Sequence, residues 1–204
     1  MRNLDSPLLK AAYVAGVTTF CTFLGCWAVL AHQESSQKST ARTPVSDAQF
    51  AKKAAQGGMA EVKLGQLAQE KGTSDSVKKF GQRMVEDHSK AGEELKRAAA
   101  QGHITLPEDI SAKDKATYDA LSKLSGAAFD RAYARDMVKD HEEDVAEFNK
   151  EANGGKSAPI KDFATQTLPT LQDHLKEAKE VRQNVSASNP ASAKGKGTGR
   201  SGTK

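Results

Sequence analysis

Three histidines stand out by what precedes them. Met84-Val85-Glu86-Asp87-His88 and Met137-Val138-Lys139-Asp140-His141 are near copies, and Leu171-Gln172-Asp173-His174 is a weaker third version. Each phrase lies in a stretch with helical periodicity and puts its histidine on the apolar stripe. A fourth stretch, Phe50 to Leu67, puts Glu61 in the matching place. Imidazole and carboxylate together suit zinc, iron, copper or manganese. Glu61, His88, His141 and His174 are therefore candidate ligands for a divalent transition metal such as zinc, iron or manganese. Two other readings stand beside that one. The histidines can be neutral core residues, hydrogen-bonded to Glu61 and to each other. They can also make the core respond to pH, because histidine titrates near neutrality. The aspartates before the histidines, Asp87, Asp140 and Asp173, lie about 100° around their helices. They either orient imidazoles on neighbouring helices or face water.

Other chemistry is poorly supported. Di-iron bundles carry Glu-x-x-His on two helices, whereas here the residues three before the histidines are Val85, Val138 and Leu171. No Gly-x-Ser-x-Gly and no glycine-rich phosphate loop is present. Both cysteines, Cys21 and Cys26, lie in the apolar N-terminal stretch, which excludes a disulfide framework or a cysteine zinc site in the folded part. No catalytic residue is assigned. The expected role is binding or structural, with metal binding or redox and stress protection as the alternative. His32 and His103 fall in linkers and are expected to be solvated.

The elements that must hold the four side chains are long helices. Ser46-Asp47-Ala48-Gln49 reads as a capping box, followed by the stripe Phe50, Ala54, Gly57/Gly58, Glu61, Leu64 and Ala68. The Gly57-Gly58 pair costs about 1 kcal/mol per glycine relative to alanine, and suggests a close helix approach or a kink. A second helix starts near Ser74 and runs out near Gly102. A short one covers Lys113 to Leu124, and Ser125-Gly126 breaks it. A third long helix carries Phe129, Tyr133, Met137, His141 and Phe148, and stops at Asn153-Gly154-Gly155. The fourth starts near Ser157-Ala158-Pro159, where proline is tolerated, and is expected to bend at Pro169. Nothing alternates as a strand would. The expected fold is all-α, an antiparallel four-helix bundle with a ferritin-like long connection. Glu61, His88, His141 and His174 each fall near mid-helix, so they can share one polar layer. The spacing from Phe50 to Glu61 equals that from Phe129 to Asp140, and Asp87-His88 is matched by Asp173-His174. The second pair of long helices therefore reads as a distant copy of the first.

The bundle is expected over 46–185. Residues 1–31 read as a signal peptide or membrane anchor. Arg2 and Lys10 precede an apolar run over 11–31 that ends in Val29-Leu30-Ala31. That pattern fits a cleaved secretory signal, which is favoured over an uncleaved span. Either reading is expected to send the folded part across the inner membrane, into the periplasm or cell envelope of a bacterial source, with membrane contact through 11–31 where the segment is uncleaved. Residues 32–45 form a polar linker. Residues 186–204 hold no large apolar side chain and are expected to be a disordered basic tail. The formal net charge is +4, but the tail contributes Lys194, Lys196, Arg200 and Lys204 with no acid. The bundle itself is near neutral, so nucleic acid is not an expected partner.

Several stretches resemble a bacterial family, the domain-of-unknown-function family 4142. They are Ala60-Glu61-Val62-Lys63-Leu64-Gly65-Gln66-Leu67-Ala68, Met84 to His88, Leu124 to Tyr133, Met137 to His141 and Leu168-Pro169-x-Leu171-x-x-His174-Leu175. The resemblance implies a ferritin-like bundle in exported or membrane proteins. It implies no mechanism, because fold analogy does not carry activity.

Overall fold

A computed structural model describes residues 45–187, with side chains from Asp47 onward. The expected signal or anchor, nearly all of the linker and most of the tail lie outside the described residues. Five helices make up the fold: α1 Val45–Lys71, α2 Asp75–Gln101, α3 Ala112–Ser122, α4 Gly126–Gly154 and α5 Ala158–Ala187. No strand occurs among the described residues. None of these helices is long and apolar enough to cross a membrane.

Helix α1 packs chiefly on α2 and α4 chiefly on α5, while α2 lies against α5 and joins the two pairs into a helical bundle. The short α3 lies against α1 and α4. Its first turn is closed reciprocally: Ser111 Oγ accepts from the Asp114 amide at 3.1 Å and donates to the Asp114 carboxylate at 2.7 Å.

Two buried aspartates tie the pairs together. Asp47 on α1 accepts from the amides of Lys156 and Ser157, at 3.0 and 2.6 Å, where α5 begins. Asp130 on α4 accepts from the amides of Thr73 and Ser74, at 3.0 and 2.9 Å, and from the Thr73 hydroxyl, where α2 begins. Each satisfies helix-start amides that have no partner within their own helix, and negative charge there suits the helix dipole. The first helix of each pair thus caps the second helix of the other. This exchange is what the internal duplication predicts. It also replaces the expected capping box, because α1 already includes Val45 and Asp47 reaches across to α5.

Close helix approach occurs, but not at Gly57-Gly58. A Cβ at Gly65 would lie 2.5 Å from the Gly81 carbonyl oxygen, and one at Gly81 would lie 2.7 Å from the Gly65 carbonyl oxygen. Glycine at both positions lets α1 and α2 touch backbone to backbone. At Gly57 an added Cβ would meet nothing within 4 Å. Helix α5 runs as one element through Pro169. His103, in the connection after α2, is exposed and takes a left-handed turn with φ 54°.

The apolar interior falls into two clusters. One gathers Leu64, Phe80, Met84, Phe129, Tyr133 and Met137 with their neighbours. The other gathers Phe50, Leu95, Phe148, Ile160, Phe163 and Leu171. On α1, α2, α4 and α5 alike, a single stretch separates the two clusters, and it carries Glu61, His88, His141 and His174 respectively.

Candidate metal centre

Glu61, His141 and His174 are fully buried, and His88 is 6% exposed. The four helices bring them together. The ring centroids of His88 and His141 are 5.8 Å apart, and those of His174 lie 5.3 Å from each of the other two. Each histidine offers a ring nitrogen within 4.8 Å of those of the others. Glu61 closes the layer: its Oε2 is 2.8 Å from His88 Nε2, and its Oε1 is 3.3 Å from His141 Nδ1.

Two of the rings are fixed from behind. His141 Nδ1 lies 2.9 Å from the Met137 carbonyl oxygen. A carbonyl can only accept, so that nitrogen carries the proton and Nε2 keeps a lone pair. His174 Nε2 lies 2.7 Å from Asp87 Oδ2, which leaves Nδ1 as its lone-pair nitrogen. Asp87 is held in turn by Arg83 Nε at 3.2 Å, and Arg83 Nη1 reaches Glu177 on α5 at 2.6 Å. Burial alone would raise Asp87, but the hydrogen bonds from His174 and Arg83 outweigh it and hold the carboxyl below its usual range. A carboxylate behind an imidazole is the usual support of a histidine ligand.

Five atoms of the layer are left without hydrogen bonds. They are both Glu61 oxygens, His88 Nε2, His141 Nε2 and His174 Nδ1. The His88–Glu61 approach is an ion-pair distance, but its direction does not make a hydrogen bond. An unsatisfied buried polar group costs about 1–3 kcal/mol. His141 Nε2 and His174 Nδ1 carry that cost outright, while the Glu61 oxygens and His88 Nε2 offset part of theirs in the contacts at 2.8 and 3.3 Å. Burial also pushes His88 and His174 down to about 4 and lowers His141, against the pull of Glu61. The rings are therefore neutral near pH 7, the form that binds metal. Burial raises Glu61, against the pull of His141. Three imidazoles and one carboxylate are a donor set that zinc accepts in four-coordinate sites.

The aspartates divide. Asp87 supports His174. Asp140 does not orient an imidazole; it joins Glu61 and Asp144 in a second group whose oxygens lie within 4.8 Å of one another. Burial, then the nearby Glu61 charge, pushes Asp140 up to about 7 and Asp144 well above its ordinary value. Asp173 is exposed on α5 and takes no part. It sits one residue before a histidine already supported from α2, and that rotation carries it to the surface.

Asp144, Arg83 and Gly58 are not singled out by the histidine phrases. Asp144 had a signal, since Asp136, Asp140 and Asp144 recur at every fourth position and share one face of α4. Gly58 has a subtler one. It stands as far beyond Asp47 as His141 stands beyond Asp130, so in the duplicated plan it takes the place of a fourth histidine. Glu61 and Asp144 match in the same way, one turn away from the Glu61–Asp140 pairing that the phenylalanines suggest. Where Gly58 stands, a cavity of about 740 Å³ opens between α1, α2 and the Leu106-Pro107 connection, and it reaches Glu61, His88 and Asp144. A Cβ at Gly58 would lie 3.9 Å from His88 Nδ1.

Comparison with curated proteins finds no match. Among solved structures, the fold is similar to that of a DUF305 fragment from Deinococcus radiodurans. The TM-score is 0.61 at 15% identity, covering 70% of this chain and 98% of that one. At that identity the likeness concerns the fold alone. The profile of the family described as "Domain of unknown function (DUF4142)" matches residues 32–181, and the chain belongs to that family.

Proposed function

We propose that this protein binds a divalent transition metal, zinc foremost, in the middle of its bundle through His88, His141, His174 and Glu61. One observation carries the reading: His88, His141 and His174 bring ring nitrogens within 4.8 Å of one another, in a layer where His141 Nε2 and His174 Nδ1 have no hydrogen-bond partner while their opposite nitrogens are held from behind. A neutral hydrogen-bonded core would give His141 Nε2 and His174 Nδ1 partners as well. We assign no reaction.

In the same proposal, α1, α2, α4 and α5 form an antiparallel, ferritin-like four-helix bundle over 46–185. Residues 1–31 direct export, with a cleaved signal favoured over an anchor. The bundle then works in the periplasm or cell envelope, in metal retention or protection against metal and redox stress. Residues 32–45 serve as a linker, and the basic tail over 186–204 remains solvated.

The test is direct. The full chain, purified without a histidine tag, is assayed for metal by mass spectrometry and melted with and without chelator. A metal held by the folded form raises the melting temperature. We expect one zinc bound by the histidine trio and a clear fall in Tm on chelation. Absence of bound metal, with no Tm shift on adding zinc, iron or manganese, overturns the reading and leaves a polar structural core.

A further inference from the structure

The carboxyl group beside the histidines has no structural explanation as it stands. Glu61, Asp140 and Asp144 bring one oxygen each within 4.8 Å of the others, although like charges at that range repel. The nearby lysines pair with other acids, and Lys113 offsets the Asp140 charge only in part. Lys139 pairs with Glu143 at 2.6 Å, Lys113 with Glu143 at 3.4 Å, and Lys179 with Glu142 at 3.1 Å. All of these pairs lie on the exposed side of α4. Glu61 is fully buried and neither of its oxygens has a hydrogen bond.

We propose that Glu61, Asp140 and Asp144 hold a second divalent cation, oxygen-ligated and manganese-like, with Glu61 bridging it to the metal at the histidines. Helix geometry supplies the arrangement. Asp140 and Asp144 are one turn apart on α4 and present a paired chelate to one side. His141, next to Asp140, is rotated by about 100° and serves the nitrogen site. Helix α4 therefore feeds both sites, and Glu61 faces both from α1. Three carboxylates favour a hard cation such as manganese or magnesium, while the imidazoles favour zinc. The two sites differ in chemistry and should load separately. Asp144, Glu61 and His88 all line the cavity, so both sites are reachable from it.

The inference rests on the histidine reading, and the experiment keeps the two apart. The full chain is prepared with Cys21→Ser and Cys26→Ser, so that thiolates add no metal. It is loaded with one equivalent of zinc and then titrated with manganese, whose free and bound forms are counted by electron paramagnetic resonance. We expect one manganese per zinc-loaded chain, and none in the double variant Asp140→Asn/Asp144→Asn. Zinc stays bound in that variant, and circular dichroism checks its fold. Asp136→Asn, one turn further along the same stripe, retains both metals. Zinc binding without manganese binding, or equal manganese binding in the double variant, overturns the second site and leaves the first. A chain that takes up no zinc refutes the histidine site instead.

Discussion

The two apolar halves of the bundle are built for different tasks. The half around Phe80, Phe129 and Tyr133 is closed. Those three rings are fully buried, Phe129 stacks on Tyr133 at 5.8 Å, and α1 meets α2 through Gly65 and Gly81 with no room for a methyl group. The half around Leu95, Phe148 and Phe163 is looser, and these side chains border a cavity of about 740 Å³. Between the halves lies the polar layer. One half fixes the spacing of the helices and so the positions of the four polar side chains. The other leaves Glu61 and His88 reachable from the cavity. A core that was tight on both sides would hold the same four residues and seal them off.

The difference can be broken most forcefully by removing a ring from each half. Phe80→Ala should cost about 3–5 kcal/mol, the usual range for a buried phenylalanine. Phe163→Ala should cost distinctly less, because its ring already borders open space and fewer contacts are lost. Urea unfolding of both variants in chelator measures the gap. Equal losses would mean that the halves are equally packed and that the cavity has no energetic meaning.

A smaller effect probes the layer from behind. Asp87→Ala removes the group that fixes the His174 tautomer, and outer partners of this kind are worth about 10–100-fold in metal affinity. Competition with a fluorescent zinc chelator reads that loss directly. Asp173→Ala, one residue before the same histidine but on the surface, should leave affinity unchanged. If both variants weaken binding alike, the support comes from general negative charge rather than from the hydrogen bond.

Glycine substitutions sharpen the comparison further, because the two halves should give opposite signs. Gly81→Ala drives a methyl group against the Gly65 carbonyl and the Ala68 side chain. Overpacking of this kind costs about 1–3 kcal/mol. Gly57→Ala meets open space and should stabilise the helix by about 1 kcal/mol, the propensity difference. Thermal melts of the chelated protein separate the two. A loss at Gly57 would place a hidden contact on the cavity side.

The sequence already contained most of the layer. Histidine on an apolar stripe is rare enough to be informative, and three of them in repeated phrases marked α2, α4 and α5. Helix ends at Gly102, Gly126 and Gly155 were visible because glycine and serine punctuate them. Asp47 was legible as a helix-start residue but not as a cap on α5, since capping between helices depends on how the pairs dock. The Gly57-Gly58 pair was ambiguous for the same reason. A glycine records that no side chain fits or none is wanted, and only the neighbouring helix distinguishes the two. Asp144 was readable from the fourfold spacing on α4, but an acidic stripe looks like a solvated face until Glu61 is seen opposite.

A further effect concerns the layer's own two sides, nitrogen and oxygen, in the metal-free protein. His88 and His174 sit at about 4 in the fold, against 6.5 for an unburied histidine. As pH falls from 6.5 toward 4, the unfolded chain takes up protons that the folded chain refuses, so these two groups make stability fall on acidification. Asp140 acts with the opposite sign. Its carboxyl sits at about 7 in the fold, against 3.8 otherwise. Between those values the folded chain holds a proton that the unfolded chain releases, so this group makes stability fall as pH rises. In the window from about 4 to 6.5 the two sides oppose each other, and the wild-type profile should be shallow. Asp140→Asn removes one opponent, so stability should then climb more steeply with pH, and the variant should be more stable than wild type at pH 8. His88→Gln should tilt the profile the other way. Denaturant midpoints in chelator at pH 4.5, 5.5, 6.5 and 8 give both slopes. Parallel profiles for all three proteins would show that the imidazoles and carboxyls are solvated rather than packed between the closed half and the open one.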